Sequence, residues 1–341
     1  MANYQVIDLH EDIAYYLMNS GRLEEEFQDF DADVPGRQSD IPKLVKGNIK
    51  VVFGAVFPIH DTYNPMIGGE RISSGYGTQS IKSYTPTASK AIGLEMIKIY
   101  LILTRRFSNR LRIIENYSDV EQVMNSDLIG LLMSVEGADM LDDTYDLLLL
   151  HRLGVRVLGI TWNFDNRYGA SCFTKKDYGL TMDGEELVKL ANELGVIIDL
   201  AHASKNTMID ALNVARKPVI ISHANTQGVH RHPRNVDDEV LELLARNHGG
   251  VIGITMIPST IGPRPNIDSL VKHILYIHER FGPDLIALGT DFLGIEKTPE
   301  DLTNIGEIGR LIDKLAGYGI NDNDLRKITF ENALRIIRNN L

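Results

Sequence analysis

Cysteine is nearly absent: Cys172 is the only one in 341 residues. That excludes an intrachain disulfide framework and a thiolate metal cluster, and it suits a reducing compartment. Positive charge is in deficit, with 35 Lys and Arg against 46 Asp and Glu and a formal net charge of −11. No basic stretch is dense enough to track a phosphate backbone, so nucleic acid is not an expected partner. Long apolar runs are missing too; none approaches the roughly 20 residues that a membrane span needs. The N-terminal residues carry neither the charged start nor the apolar core of a secretory signal, and Arg338–Leu341 form no lipid-anchor tail. The expectation from these absences is a cytoplasmic protein with no membrane partner. Internal repeats and linkers are lacking as well, which makes residues 1–341 an expected single domain.

What is present is a regular alternation. Eight short apolar or β-branched runs stand at Val6–Leu9, Ile49–Phe57, Leu128–Val135, Val155–Thr161, Val196–Leu200, Pro218–Ser222, Gly250–Met256 and Leu285–Thr290. Helical segments separate them, among them Ser89–Phe107, one capped by Asp183 through Leu194, and one capped by Ser204 through about Ala215. Leu302–Tyr318 and Asp322–Arg338 read as terminal helices. This order predicts an α/β fold, a (β/α)8 TIM-type barrel with its chemistry at the C-terminal ends of the strands. Two polar loops, Pro58–Thr87 and Asn163–Thr181, are long enough to be functional. Tyr63, Tyr76 and Tyr84 in the first read as loop anchors or subunit contacts; a homodimer is allowed but not specified.

The polar residues at the strand ends are His10, Asp12, Glu136, His202, His223 and Asp291. The stretch from Gly195 to His223 is the most telling. It is a strand–helix–strand unit with one histidine at the end of each strand. Adjacent strands lie about 4.8 Å apart, so two such imidazoles reach one metal ion. The expected site holds two divalent ions. His10, Asp12 and Glu136 take one, Glu136, His202 and His223 take the other, and the Glu136 carboxylate bridges them. Nitrogen and oxygen donors without sulfur suit zinc first, with manganese, iron or cobalt allowed. Asp199 reads either as a carboxylate behind the histidines or as a satisfied buried polar group. His60, His151, His248, His273 and His278 read as surface or core-edge residues.

These residues carry a resemblance. Asp8-Leu-His-Glu-Asp12, Asp40-Ile-Pro-Lys-Leu44, Val135-Glu-Gly137, Leu153-Gly-Val-Arg156, Thr161-Trp-Asn163 and Gly179-Leu-Thr181 run in order with Ile198-Asp-Leu-Ala-His202, Ile221-Ser-His223, His232-Pro-Arg-Asn235 and Leu288-Gly-Thr-Asp-Phe292. Together they resemble the membrane (renal) dipeptidase family of metal-dependent amidohydrolases, over nearly the whole chain. The resemblance implies hydrolysis of dipeptides, in many members including those with a D-configured C-terminal residue, by water activated between two zinc ions. His10 and Asp12 resemble the ligands of the first metal, Glu136 the bridge, and His202 and His223 the ligands of the second. Asp291 resembles the base that orients and deprotonates water, and Arg234 the arginine that pairs with the substrate carboxylate. Trp162 and Asn163 are expected against the substrate. Two residues depart from the pattern. Trp162 stands where a histidine is familiar, and an indole N–H donates a hydrogen bond but takes no proton. Leu293 stands where an aspartate is common. Two alternatives remain: an amidohydrolase for another carboxylate-bearing amide, lactam or lactone, or an inactive barrel used as a scaffold.

Overall fold

The computed structural model describes residues 4–19, 27, 29–58, 86–246 and 249–341. Tyr63, Tyr76, Tyr84, His60 and His248 lie outside the described residues. The strands among those described are β1 (Val6–Glu11), β2 (Ile49–Val56), β3 (Leu111–Ile113), β4 (Ile129–Val135), β5 (Val155–Gly159), β6 (Ile197–Asp199), β7 (Ile220–Ala224), β8 (Val251–Ile254) and β9 (Ile286–Leu288). All pair in parallel, and a β2–β4 pairing closes the ring β1-β2-β4-β5-β6-β7-β8-β9. That ring is the expected (β/α)8 barrel, and its eight strands are the eight runs legible in the sequence. β3 is additional. It pairs with residues 129–131 of β4, below the residues 133–135 that pair with β5.

Alternation along the strands sorts their side chains into two layers. Ile7, Leu9, Val51, Phe53, Leu132, Val157, Ile197, Ile220, Val251 and Ala287 fill the interior, at least one from each barrel strand. The other face packs under the helices. One of them, Pro86–Arg106, is tied beneath β2 by Tyr100, whose hydroxyl donates to the Ala55 carbonyl at 2.9 Å. The register of β1 against β2 shifts between Asp8 and Glu11. There the strand passes from the interior row Ile7 and Leu9 to His10.

The helix Asn332–Asn340 stops the N-terminal end of the barrel. It touches β1, β6, β8 and β9, strands that only the barrel floor brings under one helix. Its Ala333, Ile336 and Ile337 join the interior cluster. Asn332 donates to the carbonyls of Pro283 and Ile286, and Asn340 to that of Pro218, where β9 and β7 begin. The expected helix Asp322–Arg338 is therefore interrupted: a helix Asp322–Arg326 capped by Asn321, a π turn at Lys327–Glu331, then the stopper. The helix expected to be capped by Asp183 starts two residues earlier. Thr181 is its cap, accepting from the Gly184 N–H at 3.0 Å, while Asp183 pairs with Arg167. Ser204 caps as expected, and Asp40 caps the short helix Ile41–Lys46. Among the described residues no helix is long and apolar enough to cross a membrane.

Candidate metal centre

Six residues expected at strand ends meet at the C-terminal mouth. His10 and Asp12 leave β1, Glu136 follows β4, His202 follows β6 by three residues, His223 lies in β7, and Asp291 follows β9 by three. All are buried. Glu136 Oε1 is 2.9 Å from His202 Nε2, 3.4 Å from His223 Nε2 and 3.7 Å from His10 Nε2. His10 Nε2 lies 3.3 Å from Asp12 Oδ2 and 3.7 Å from Asp291 Oδ1. Three groups are compact enough to hold an ion: His10, Asp12 and Glu136; Glu136, His202 and His223; and His10, His223 and Asp291. The first two are the sets read from the sequence, sharing Glu136.

Two site residues have left-handed backbones, His202 at φ 67° and Asp291 at φ 65°. Non-glycine residues seldom adopt this region, and it is concentrated at functional sites. The turn at Asp291 is held by its N–H on the His10 carbonyl at 3.0 Å and by Gly294 N–H on its own carbonyl at 3.2 Å. The Thr290 hydroxyl donates to Asp8 Oδ2 at 2.6 Å and accepts from Phe292 N–H, spanning Asp291. Gly294 sits so close to the Asp12 and Asp291 carboxylates that a Cβ there would collide with both. Sequence reading did not single it out. Leu293 is buried and also left-handed, at φ 68°. A leucine adopts that conformation at about 1–2 kcal/mol, more than the aspartate common there in the resembling family.

The electrostatics call for added positive charge. Burial pushes the Glu136 carboxyl well above the usual range; His10 and Arg234 pull it back, while Asp12 and Asp291 add to the rise. Burial likewise raises Asp291, with His10 opposing and Asp12 reinforcing. His10 moves up to about 10: burial disfavours its charge, but Glu136, Asp12 and Asp291 outweigh burial. Burial holds His202 and His223 well below the ordinary imidazole range, with the charges of Arg234 and His10 adding to it. Three converging carboxylates in a buried mouth are costly without cations, and neither ring nitrogen of His10 has a hydrogen-bond partner. Two neutral imidazoles, an orphaned third and carboxylate oxygens fit divalent ions of the zinc type.

The remaining expected residues take definite places. Arg234 is buried and donates through Nη2 to the His223 carbonyl at 3.0 Å, while its Nη1 has no partner. The nearby Asp237 pairs with Lys205 and Asp238 with Arg280, so neither takes up the arginine. His232 supports the Arg234 loop, its Nδ1 accepting from the Arg234 N–H at 3.1 Å. Asn163, expected against substrate, has its side-chain oxygen 2.7 Å from His202 Nδ1. That contact leaves Nε2 of His202 toward Glu136, and no sequence spacing announces it across 39 residues. Trp162 is buried in an aromatic wall, 5.1 Å from Phe57, 5.4 Å from Phe164 and 5.9 Å from the His202 ring, centroid to centroid. Asp165, Asn166 and Arg167 brace their own loop: Asp165 accepts from Ser171 and Thr174, Asn166 donates to the Ile160 carbonyl, and Arg167 reaches Asp183 and the Asp142 carbonyl.

The chain is similar to known proteins over nearly its whole length. A dipeptidase of Clonostachys rogersoniana is 29% identical over 99% of this chain and 84% of its own. An uncharacterised dipeptidase of Schizosaccharomyces pombe is 32% identical over 91% of this chain and 74% of its own. Among solved structures, a metallopeptidase from Rhodobacter sphaeroides, bound to a phosphinate mimic of the dipeptide L-Ala-D-Ala, superposes with a TM-score of 0.87. It covers 99% of both chains at 20% identity, a likeness of fold. The sequence profile of the membrane dipeptidases, peptidase family M19, matches residues 1–340. With that match across the chain, and a relative at 32% identity, this protein belongs to the membrane dipeptidase family.

Proposed function

We propose that this chain is a metal-dependent dipeptidase holding two divalent ions, zinc first, and working in the cytoplasm. The observation that carries the proposal is the shared Glu136 at the centre of two buried nitrogen–oxygen donor sets. His10, Asp12 and Glu136 would hold one ion, and Glu136, His202 and His223 the other. Bound there, the ions would polarise the scissile carbonyl and make water acidic enough to lose its proton near neutrality. The chain's own groups do the rest. Asp291, at the mouth beside His10, accepts the proton of the attacking water and returns it to the departing amine. Arg234 directs its unpartnered Nη1 to the substrate's terminal carboxylate while Nη2 stays on the His223 carbonyl. The aromatic wall of Phe57, Trp162 and Phe164 excludes water from one side.

The test is a panel of L,L and L,D dipeptides assayed with added zinc, manganese or cobalt, with Arg234→Ala alongside. A charged hydrogen-bonded pair in a drying pocket contributes about 1.5–3 kcal/mol. The variant should therefore lose roughly 10- to 150-fold in kcat/KM on a free dipeptide, with its metal content intact. A dipeptide with an amidated C-terminus should be a poor substrate for the wild type and be little affected by the mutation. Lysine at 234 should rescue only partly, since it lacks the guanidinium fork. Equal slowing of acid and amide would make the arginine structural and favour a substrate without a carboxylate.

Trp162 is assigned to the wall, so Trp162→Phe should leave turnover within a few-fold. A loss approaching 10²-fold, the usual effect of removing one oxyanion donor, would instead assign its N–H to the tetrahedral intermediate.

A further inference from the structure

Behind His223 lies a polar relay that the reaction sketched above does not use. His223 Nδ1 is 2.7 Å from the Ser222 hydroxyl. That hydroxyl donates to Asp199 Oδ2 at 2.5 Å. Asp199 belongs to the neighbouring strand β6 and is 2% exposed. Its Oδ1 also accepts from the N–H of Ser222 at 2.9 Å and from that of Ala201 at 3.0 Å. The carboxylate thus receives three donors and offers none. Serine has one proton, and here it goes to Asp199. The hydroxyl therefore meets His223 with a lone pair, and Nδ1 must carry the ring's proton. A neutral imidazole has one N–H, so Nε2 keeps its lone pair. Nε2 is the atom that faces Glu136 at 3.4 Å and His202 Nε2 at 2.9 Å.

We propose that Asp199 is a positioning residue which, through Ser222, holds His223 in the tautomer whose Nε2 lone pair faces the metal site. The proposal rests on the two-ion reading given above. A second carboxylate shows what is particular to this one. Asp8 grips Thr290 in the same way, accepting its N–H at 2.8 Å and its hydroxyl at 2.6 Å, together with the N–H of His10 at 3.3 Å. There the threonine oxygen goes on to a backbone N–H, that of Phe292. Both grips tie neighbouring strands, but only the one at Asp199 ends on an imidazole. Fixing a ring's proton is work that a strand tie alone does not need.

Asp199→Asn tests the polarity of the relay. The amide is the same size, but it presents an NH2 group where Oδ2 accepted. Ser222 would then receive from it and turn its own proton toward His223 Nδ1. The ring proton would move to Nε2, against the metal. Ser222→Ala removes the acceptor without forcing the proton across. Zinc affinity, measured by competition against a chromogenic chelator, should fall for one of the two ions by about 10- to 100-fold in Asp199→Asn, the range for lost outer-sphere partners. Ser222→Ala should fall between that variant and the wild type. A purely structural tie reverses the order, because the alanine deletes a buried contact and the asparagine is isosteric. Nitrogen-15 spectra of the wild type before zinc is added provide a reading that needs neither variant to fold. They should place the His223 proton on Nδ1. A proton on Nε2, wild-type zinc affinity in a folded Asp199→Asn, or the reversed order overturns the proposal. A wild type that takes up no divalent ion would instead overturn the two-ion reading itself.

Discussion

Asp291→Asn is expected to keep its metals and its affinity for substrate but to lose turnover by about 10²–10⁴-fold, the range for a general base. Three features make this substitution a clean one. The backbone at 291 is left-handed, and asparagine tolerates that conformation better than most residues. The turn is held by main-chain groups, Asp291 N–H on the His10 carbonyl and Gly294 N–H on the Asp291 carbonyl, which the change does not touch. The carboxyl itself is the group whose proton affinity burial has raised, and an amide in its place takes no proton. The measurement is kcat on a saturating dipeptide together with metal content. More than a tenth of the wild-type rate would show that Asp291 is not the base. Loss of an ion would make it a ligand, as its grouping with His10 and His223 allows.

Glu136→Gln should be the more severe change in composition. Glu136 Oε1 is within 3.7 Å of three imidazole nitrogens and belongs to both donor sets expected to bind. A glutamine keeps the shape but has no charge and only one acceptor oxygen, so it bridges poorly. At least one of the two ions should be lost. Activity should fall by more than the roughly 10–100-fold that follows removal of an outer-sphere partner. Elemental analysis of the purified variant decides: two fully occupied metals would remove the bridging role from Glu136.

Much of the barrel was legible because each strand is a short apolar run, and most of those runs end in a polar residue. His202 and His223 could be paired from sequence because they close two consecutive strands of one unit, and the distance between parallel neighbours is fixed. Glu136 was legible as the residue after an apolar run, and Asp12 through alternation with His10. β3 escaped because it is three residues long with Arg112 at its centre, too brief for any periodicity. The Thr181 cap was missed because Asp183, two residues on, offers the same chemistry, and only the backbone decides between them. Asp199 apart, which could be read as a carboxylate behind the histidines, the partners behind the site were illegible for another reason. Asn163 meets His202 across 39 residues, and Asp8 meets Thr290 across 282. Such contacts are set by which strands the closed ring makes neighbours, and local pattern does not encode that. The left-handed turns at His202 and Asp291 likewise have no glycine to announce them.

The stopper helix gives the chain a direction in time. β1 leaves the ribosome before the other barrel strands, yet its partner at Leu288 comes 280 residues after Asp8. Until then β1 and β8 each expose an unpaired edge, the kind of surface that recruits other chains. Closing the ring seals those edges and brings Asp291 to His10. The floor stays open until Asn332–Asn340 has been made, because Ile336 and Ile337 cover the interior from below. A nascent chain halted near residue 330 would thus carry every group of the proposed metal site over a core still open to water. The finished mouth depends on residues synthesised after all the groups that line it, at the opposite end of the barrel.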